Sequence, residues 1–334
     1  MSSQFFKNKK ILVTGGTGSF GHHIAEALLK YKPKEIRIFS RDEKKQDDMR
    51  REYENVRNLR FIIGDVRDLH SVSNAMRDID IVFHAAALKQ VPNCEYNVFE
   101  TVKTNIIGAQ NVVTASMEEN VEKVVAISTD KAVEPVNVMG MSKAIQERII
   151  TSANLFKDGK RTIFCCVRYG NVLGSRGSVV PVFKEQINKG LPLTITDRQM
   201  TRFILTLDDA IDLVFYAAIN SVGGEIFVAN IPSHTVGDLV EVMFENCKVK
   251  NNKIKSIGIR CGEKLHETLI SPTESLKTIK KRGYFIILPQ IPALEIEKKY
   301  PNYRNTKMFR FSSDKAKRLN KAELKSLLKK EGWI

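Results

Sequence analysis

The chain has 334 residues, of which 43% are hydrophobic and 27% charged, and this is the composition of a folded globular protein. Its length favours one large α/β domain with a smaller one attached. The formal net charge of +15 would suit a nucleic-acid-binding protein. However, acids stand between the lysines and arginines, and no recognised nucleic-acid module is present. We therefore expect a basic surface with selected arginines for phosphorylated small molecules, and no nucleic-acid partner.

Membrane spans, metal sites and disulfides are not expected either. No apolar run approaches the roughly 18 residues that cross a bilayer, and the first ten residues lack the apolar core of a signal peptide, which favours a cytoplasmic protein. The histidines lack the HExxH spacing of zinc sites. The cysteines are odd in number, lack metal-like pairing and suit a reducing compartment: Cys94, Cys165, Cys166, Cys247 and Cys261.

The first predicted strand, KILVT at 10–14, runs into a glycine-rich turn and an amphipathic helix. The turn GGTGSFG satisfies the G-x-G-x-x-G pattern in the strand–turn–helix context that dinucleotide binding requires. Glycines let the backbone approach a pyrophosphate, and the helix N-terminus offers free N–H groups to it. A tight turn could use glycines without a ligand, but the context predicts dinucleotide binding by Gly15, Thr17, Gly18, Ser19, Phe20 and Gly21.

The second predicted strand, 35–39, is followed by Ser40 and Arg41. An acid at this strand end bonds the ribose 2′-hydroxyl of NAD, whereas cationic groups suit the 2′-phosphate of NADP. Ser40, Arg41 and Lys45 therefore predict NADP, with NAD the less favoured cofactor. The alternative is a solvated helix start in which Asp42 is the partner of these cations.

The third predicted strand, 60–63, leads to Asp65 and Val66. A carboxylate there could accept a hydrogen bond from an adenine amino group, or it could cap the following helix. A long helical pattern at 97–118 carries Asn105 in its middle. We assign all three side chains to the cofactor site.

The fourth predicted strand, 80–84, precedes three alanines that suit a flat ligand or, equally, tight strand–helix packing: Ala85, Ala86 and Ala87. A fifth strand at 121–127 completes five strand–helix repeats. The predicted fold class is therefore α/β, a Rossmann-type doubly wound parallel sheet. Ligands in such sheets bind at the carboxyl ends of the strands, and each of these stretches lies at such an end.

A smaller, interleaved α/β substrate-binding domain is predicted beyond the sixth strand. Residues 1–175 form the dinucleotide-binding domain, with 206–230 returning to it, and 176–205 and 231–334 form the substrate-binding domain. The segment from Ser271 is Lys-rich and carries no predicted strand. The remaining predicted elements are strands at 161–168, 193–196, 201–205 and 253–260, and helices at 207–220, at 235–247 and from 320.

The stretch STDKAVEPVNVMGMSK, residues 128–143, concentrates ionisable groups directly after the fifth strand. A dehydrogenase of this architecture uses a Y-x-x-x-K pair, in which the lysine lowers the pKa of the tyrosine so that it can act as a base. Lys143 is present, but Met139 stands four residues before it, and a thioether cannot take a proton. Either the protein is not a standard dehydrogenase or another group has taken over. Asp130 and Lys131 form an adjacent acid–base pair, although such a pair is often only a surface ion pair.

Motifs along nearly the whole chain are shared with a known superfamily: TGGTGSFG, IFSRDEKKQ, IGDVRD, HAAALKQVP, STDKA, VRYGNVLGSRGSVVP, MTRF, GGEIFV and IRCGEKLHE. The chain resembles the extended short-chain dehydrogenases/reductases and, within them, the bacterial UDP-N-acetylglucosamine 4,6-dehydratases. HAAALKQVP, STDKA and GEKLHE are specific for that branch, and the resemblance is weakest from SPTESLK onward. Met139 assigns the chain to a methionine-for-tyrosine subgroup.

This resemblance implies oxidation at C4 of the sugar, which acidifies the C5 proton. A base then removes that proton, the C6 hydroxyl leaves as water with help from an acid, and hydride returns to C6. The resemblance implies Asp130 as the acid at C6, Lys131 as the base at C5 and Thr129 as a hydrogen-bond partner of the C4 oxygen. The acceptor of the C4 hydroxyl proton stays open between Asp130 and Lys143, the latter acting through water or the ribose.

The resemblance further implies UDP-GlcNAc or a close UDP-HexNAc as substrate, in polysaccharide or glycan sugar biosynthesis, with the C5 configuration of the product open. It also implies a homo-oligomer, which is a dimer or a larger assembly such as a hexamer. The alternatives are a C4 epimerase and an NADP-sensing binding protein without catalysis. Substrate contacts are assigned to Lys89, Asn171, Val179, Arg202, Arg260 and Glu263. The alternative roles are a hydrogen bond to the loop backbone for Asn171 and inter-domain ion pairs for the charged residues.

Overall fold

The structure, a computed structural model, describes six ranges of the chain: 2–157, 159–175, 177–246, 253–292, 294–301 and 307–334. Within these ranges the strands are β1 Lys10–Thr14, β2 Glu35–Ser40, β3 Leu59–Ile63, β4 Ile81–His84, β5 Lys123–Thr129, β6 Ile163–Tyr169, β7 Asn171–Val172, β8 Leu193–Ile195, β9 Thr201–Leu205, β10 Ile226–Ala229, β11 Ser233–Thr235, β12 Ile254–Ser256, β13 Thr268–Ile270, β14 Thr278–Lys281, β15 Tyr284–Ile287 and β16 Phe311–Ser312.

The helices of the same ranges are α1 Ser2–Phe5, α2 Ser19–Leu29, α3 Glu43–Glu52, α4 Leu69–Met76, α5 Val91–Tyr96, α6 Val98–Thr101, α7 Gly108–Glu118, α8 Val138–Ser152, α9 Val179–Asn188, α10 Leu207–Asn220, α11 Val236–Asn246, α12 Pro272–Ser275, α13 Leu294–Lys299 and α14 Lys321–Lys330. A π-helical turn, Val102–Ile107, joins α6 to α7, and 3-10 turns occupy Asp130–Ala132 and Ala153–Leu155. No described helix combines the length and the apolar character needed to cross a bilayer.

The largest sheet of the described residues has nine strands in the order β14-β15-β10-β6-β5-β4-β1-β2-β3. The strands from β10 to β3 are parallel, and β15 and β14 extend the β10 edge in antiparallel pairing. Strands β1, β4 and β5 are almost wholly buried, as expected where helices cover both faces of a parallel sheet. The chain order reverses between β1 and β4, which creates the crevice where such sheets bind ligands. The predicted Rossmann-type α/β fold is confirmed.

Strands β14 and β15 differ from the prediction, which places no strand in the Lys-rich C-terminal segment. Ile286 and Ile287 are buried, whereas Lys280 and Lys281 are exposed on the outermost strand. Exposed lysines oppose pairing with another chain and so suit an edge strand, but they hide the apolar alternation on which a strand prediction depends. Part of 231–334, assigned to the substrate-binding domain, therefore belongs to the main sheet.

Smaller differences concern three predicted elements. The strand predicted at 253–260 is limited to β12, which pairs with β8. The helix predicted at 235–247 is α11, and Cys247 lies outside the described residues. The helical pattern at 97–118 is divided among α6, the π-helical turn and α7.

A second apolar core lies beside the main sheet, between α9, α11, α14 and the strands β8 and β9. Its buried side chains include Leu173, Val180, Phe183, Leu193, Met200, Leu239, Val240, Leu324 and Leu328. A single residue, Gly170, separates β6 of the main sheet from β7, which pairs with β9. A Cβ on Gly170 would lie 2.4 Å from Cβ of Phe203, so only glycine fits where the chain crosses between the two units.

A buried ion cluster ties β6 to two helices. Arg168 is almost inaccessible, and its guanidinium donates to both carboxylate oxygens of Glu147 on α8, at 2.9 and 2.6 Å. It also donates to both oxygens of Glu274 on α12, at 3.1 and 2.9 Å, and to the carbonyl of Leu269 at 2.8 Å. Burial opposes the charge of Arg168, but the two carboxylates outweigh it and raise its pKa. The cluster joins the main sheet to the C-terminal part of the chain.

Candidate functional site

The glycine turn between β1 and α2 is packed so closely that side chains on two of its glycines would clash with neighbouring backbone. Gly15 has a φ of +66°, and a Cβ there would lie 2.8 Å from the backbone of Ala86. A Cβ on Gly21 would lie 2.1 Å from the carbonyl oxygen of Gly16. Gly18 caps α2 without a side-chain hydrogen bond, so the first N–H groups of the helix have no cap side chain. The turn therefore fits the pyrophosphate of a dinucleotide.

The end of β2 presents cations beside polar groups. Ser40 accepts a hydrogen bond from Thr17 at 3.0 Å. Arg41 is half exposed and lies 3.5 Å from Asp65. Asp42 caps α3 through the N–H of Lys45 and also pairs with the Lys45 ammonium at 2.5 Å. Lys45 therefore pairs with Asp42, as the alternative interpretation of this segment predicts. The guanidinium of Arg41, in contrast, is half exposed.

Asp65 is held by guanidinium groups and does not cap a helix. Burial alone would raise its pKa, but hydrogen bonds from Arg67 and the charge of Arg41 lower it below its ordinary value. The cap of α4 is instead Asp68, which accepts from the N–H of His70. The structure thus excludes the helix-cap role of Asp65 and shows its carboxylate bonded to the backbone N–H and the guanidinium of Arg67.

The alanine segment after β4 leads into Leu88, whose backbone is hydrogen-bonded by Asn105. Asn105 lies in the π-helical turn, and such turns are frequent at functional sites. The Asn105 amide donates to the Leu88 carbonyl at 3.0 Å and to Ser142 at 2.9 Å, and it accepts from the Leu88 N–H at 2.8 Å. Asn105 therefore shapes the loop that carries the alanines. Lys89, which follows Leu88 in the chain, is exposed.

Asp130 and Lys131 follow β5 directly and meet a third ionisable group, Glu267. The Lys131 ammonium lies 3.1 Å from Oδ1 of Asp130 and 3.2 Å from Oε1 of Glu267. Thr129 donates to Oδ1 of Asp130 at 2.9 Å. Oδ2 of Asp130 is buried without a partner among the described residues, and a Cβ on Gly170 would lie 3.3 Å from it. Glu267 was not among the predicted residues, although it closes the GEKLHE motif.

The three groups shift one another's pKa values. Burial and the charge of Glu267 raise the pKa of Asp130, against the opposing effect of Lys131. Burial would lower the pKa of Lys131, but Asp130 and Glu267 together raise it. Burial would raise the pKa of Glu267, but Lys131 and Arg202 lower it. The Lys131 ammonium thus lies between two carboxyl groups whose pKa values are shifted in opposite directions, upward for Asp130 and downward for Glu267.

Lys143 and Met139 lie on the first turns of α8 and are both buried. The Lys143 ammonium donates to the carbonyl of Ile127 at 2.5 Å and to Gln146 at 2.7 Å. Burial lowers its pKa to about 8. Burial and the nearby Lys143 charge lower the pKa of His84 to about 3, so that histidine is neutral. Lys143 can therefore exchange a proton near neutral pH, which the thioether of Met139 cannot do.

A cavity of about 250 Å³ lies between the end of β6 and the smaller unit. It brings together five of the predicted substrate residues: Asn171, Val179, Arg202, Arg260 and Glu263. Lys89 is not among its lining residues. Arg202 already donates to the carbonyls of Thr201 and Leu265, at 2.8 and 3.1 Å.

Several polar atoms of this cavity are buried without a hydrogen-bond partner in the described part of the chain. They are Oδ1 of Asn171, Oε2 of Glu263 and Oγ of Ser178. Buried polar atoms are costly unless bonded, so these atoms suit a polar ligand. His234 also lines the cavity, and burial lowers its pKa. Ser178 and His234 were not predicted, because a lone serine or histidine carries no spacing signal. The described residues contain no group of three or more His, Cys, Asp or Glu placed to hold a metal.

Comparisons with known proteins agree with this architecture. The chain is 46% identical over 338 residues to an uncharacterized membrane protein of Methanocaldococcus jannaschii, covering 99% of this chain and 98% of that one. It is 45% identical over 334 residues to a UDP-glucose 4-epimerase of Rickettsia akari, covering 97% and 96%.

Among solved structures, Pen from Bacillus thuringiensis superposes with a TM-score of 0.93 at 40% identity, covering 99% of both chains. The dTDP-glucose 4,6-dehydratase DesIV from Streptomyces venezuelae has a TM-score of 0.68 at 20% identity, covering 90% of this chain and 93% of its own, and shares the fold. Residues 11–289 match the family described as polysaccharide biosynthesis protein. The chain therefore belongs to the polysaccharide biosynthesis protein family and has a short-chain dehydrogenase/reductase fold.

Proposed function

We propose that the protein is a UDP-GlcNAc 4,6-dehydratase that produces a UDP-4-keto-6-deoxy-HexNAc. The observation that carries the proposal is the buried acid–ammonium–carboxylate group of Asp130, Lys131 and Glu267 after β5. Loss of water needs one group that gives a proton and one that takes a proton on the same sugar. Asp130, whose pKa is raised, suits proton donation to the leaving C6 hydroxyl, and Lys131 suits removal of the C5 proton. Thr129, which donates to Asp130, is our candidate hydrogen-bond partner for the C4 oxygen.

A nicotinamide cofactor fits the residues at the ends of β1, β2 and β4, because the glycine turn carries no side chains at Gly15, Gly18 and Gly21 and leads to a helix N-terminus without a cap side chain. When bound, it supplies reversible hydride transfer, away from C4 and back to C6. The residues that would hold it are those of the glycine turn, Ser40, Arg41, Asp65, the alanine segment and Lys143. Lys143 is the second candidate, beside Asp130, for the proton of the C4 hydroxyl.

The uridine diphosphate moiety is assigned to the 250 Å³ cavity. Arg260 and Arg202 offer planar cations suited to a diphosphate, and Glu263 offers an acceptor for the ribose hydroxyls. The unpaired atoms of Asn171 and Glu263 would gain partners from the ligand. Lys89 is kept as a candidate contact to the sugar.

Incubation of the purified protein with UDP-GlcNAc and NADP in deuterated water, followed by NMR, tests this proposal. We expect loss of the C6 hydroxyl, appearance of a C6 methyl group and deuterium at C5, whose configuration distinguishes retention from inversion. A C4 epimerase is the second candidate, since the Rickettsia akari relative is named so. It would give a product that keeps its C6 hydroxyl and gains no deuterium. Absence of any reaction would favour the non-catalytic cofactor-binding alternative.

NADP is proposed over NAD because Arg41 is half exposed at the end of β2 and no acid occupies that position. We expect Arg41→Ala to weaken NADP binding by about 10- to 100-fold, the usual effect of losing a charged hydrogen bond, and to leave NAD binding nearly unchanged. Titration calorimetry with both cofactors measures this. Lys44→Ala, which removes an exposed cation paired with Asp48, is the control. Equal weakening of both cofactors would contradict the assignment.

A homo-oligomer is proposed because apolar side chains on neighbouring helices are exposed. They are Tyr96, Phe99, Ile107, Met141 and Ile145. Met141 and Ile145 lie one turn apart on α8 and share a face. We expect Ile145→Glu to lower the mass measured by light scattering, whereas Ile291→Glu, at another exposed apolar position, leaves it unchanged. An unchanged mass in both variants would place the contact elsewhere.

A further inference from the structure

Asn137, the residue before α8, uses both ends of its side-chain amide. Its Oδ1 accepts from the N–H of Gly140 at 2.7 Å and so caps the helix. Its Nδ2 donates to the carbonyl of Gly262 at 2.7 Å. Asn137 is buried, so this one side chain joins the start of α8 to a distant segment of the chain.

A helix cap does not by itself require asparagine. Serine, threonine and aspartate also cap helices, because each offers a side-chain oxygen to the first N–H groups. Asparagine carries an NH2 group beside its oxygen, whereas an ionised aspartate has no donor and a hydroxyl has a single, shorter polar atom. The amide of Asn137 therefore suits two tasks at once, the cap of α8 and the bond to Gly262.

The segment that Asn137 binds is a turn at 260–263, which lines the 250 Å³ cavity with Arg260 and Glu263. The N–H of Glu263 donates to the carbonyl of Arg260 at 3.1 Å and closes the turn. Gly262 has a φ of +78°, and a Cβ there would lie 2.9 Å from Cβ of Asn137. Glycine thus suits both the backbone conformation of the turn and its close approach to Asn137.

A second hydrogen bond attaches the same segment to the loop after β5. Lys264, directly after the turn, donates to the carbonyl of Val133 at 2.6 Å. Arg260 is more than half exposed, and its ion pair with Glu263, at 3.8 Å, lies within the turn itself. Attachment of the turn to the start of α8 is therefore a matter of backbone and amide hydrogen bonds, not of that ion pair.

We propose that Asn137 is a positioning residue for the nucleotide, which holds the 260–263 turn so that Arg260 and Glu263 meet the uridine diphosphate. This inference rests on the proposed function, which assigns that moiety to the cavity. Asn137 does not itself line the cavity and acts through the turn. Because α8 also carries Lys143, the bond from Asn137 to the turn links the diphosphate site to the helix that serves the reacting end of the sugar.

Replacement of Asn137 by serine separates the two tasks, because serine keeps a cap oxygen for α8 but is too short to reach the Gly262 carbonyl. We expect Asn137→Ser to weaken the binding of UDP by about 3- to 10-fold, the usual effect of losing one hydrogen bond. Titration calorimetry measures this, and the affinity for NADP should not change. In turnover of UDP-GlcNAc, KM should rise by a similar factor while kcat stays nearly unchanged, the signature of lost uniform binding.

The matched control is Asn320→Ser. Asn320 caps α14 by accepting from the N–H of Glu323 at 2.9 Å and does not line the cavity, so this variant should bind UDP as the wild type does. Wild-type affinity for UDP in Asn137→Ser, or equal weakening in the two variants, would overturn the inference. A loss of kcat and of NADP affinity with no change for UDP would show that Asn137 is only a helix cap, which also overturns it.

Hydrogen exchange gives a readout that needs neither ligand nor turnover. Backbone amides at 261–264 should exchange faster in Asn137→Ser than in the wild type, because the turn has lost an attachment. The amides of α8 should keep their wild-type rates, because the cap is retained. Unchanged exchange at 261–264 would overturn the inference.

Failure of the proposed function would look different. If the wild type does not bind UDP although exchange at 261–264 responds as expected, the assignment of the cavity is wrong, and the role in nucleotide binding falls with it. If Asn137→Ser does not fold, Gly262→Ala replaces it, because the added Cβ pushes the turn from Asn137 and leaves the cap intact. Weaker UDP binding in that variant supports the inference, and wild-type affinity overturns it.

Discussion

Replacement of Asp130 by asparagine is expected to abolish water loss, with a fall in kcat of about 100-fold or more. The amide has nearly the shape of the carboxyl group but cannot give a proton to the C6 hydroxyl. Asp130 is fully buried and bonded to Thr129 and Lys131, so the isosteric change should preserve the loop. NMR of the product measures the loss of water.

Cofactor reduction, followed at 340 nm in a single turnover, separates the two roles left open for Asp130. If reduction persists in Asp130→Asn while water loss stops, Asp130 acts only at C6 and Lys143 becomes the acceptor at C4. If reduction is also lost, Asp130 serves both steps. In that case Met139→Tyr in the same variant should restore reduction, because a phenol four residues before Lys143 supplies the missing acceptor. Full activity of Asp130→Asn would exclude both roles.

Replacement of Arg168 by methionine is expected to produce the largest loss of stability, about 3–5 kcal/mol. Methionine fills part of the volume but leaves Glu147 and Glu274 buried without their cation. Arg168 lowers the pKa of Glu274 in the native protein against the effect of burial. Without the arginine, burial raises that pKa, so Glu274 destabilises the fold at neutral pH and is relieved by protonation as the pH falls. The defect should therefore be smaller near pH 5 than at pH 7.

The midpoint of urea denaturation, measured at both pH values, checks this expectation. Arg310→Met is the control, since its partner Glu134 is close to half exposed and such pairs contribute about 1 kcal/mol or less. Equal midpoints for the two variants would mean that the cluster around Arg168 contributes no more than a surface ion pair.

The parallel sheet and the glycine turn could be predicted because their signals are local. KILVT is a buried apolar run, and the predicted bounds of β1 and β9 match the structure. The antiparallel edge could not, because β14 ends in the exposed Lys280 and Lys281 and β15 is an apolar run of only four residues within a Lys-rich segment. Local pattern is sufficient for strands buried on both faces and fails for an edge strand.

The residues of the candidate site also fall into two groups, those that local sequence predicts and those that only tertiary packing brings to the site. Asp130, Lys131 and Lys143 follow one strand, and the sequence places them together. Glu267 could be quoted within a motif, but no spacing rule brings it to Lys131, because their contact depends on how β13 packs against the loop after β5. Asn105 has spacing typical of a helix interior, and its three hydrogen bonds to Leu88 and Ser142 could not be read from that spacing.

The loop that carries Lys131 is also bound by residues from far along the chain. Asn137 donates to the carbonyl of Gly262, 125 residues away, and Lys264 donates to the carbonyl of Val133, 131 residues away. A nascent chain emerges from the ribosome N-terminus first and its early segments fold first. The glycine turn after β1 can thus form early in synthesis, whereas the loop after β5 lacks these contacts until Gly262 and Lys264 have been made. A chain truncated before Gly262 would retain the glycine turn but lack the contacts that hold the loop carrying Lys131. We therefore expect such incomplete chains not to convert the sugar nucleotide.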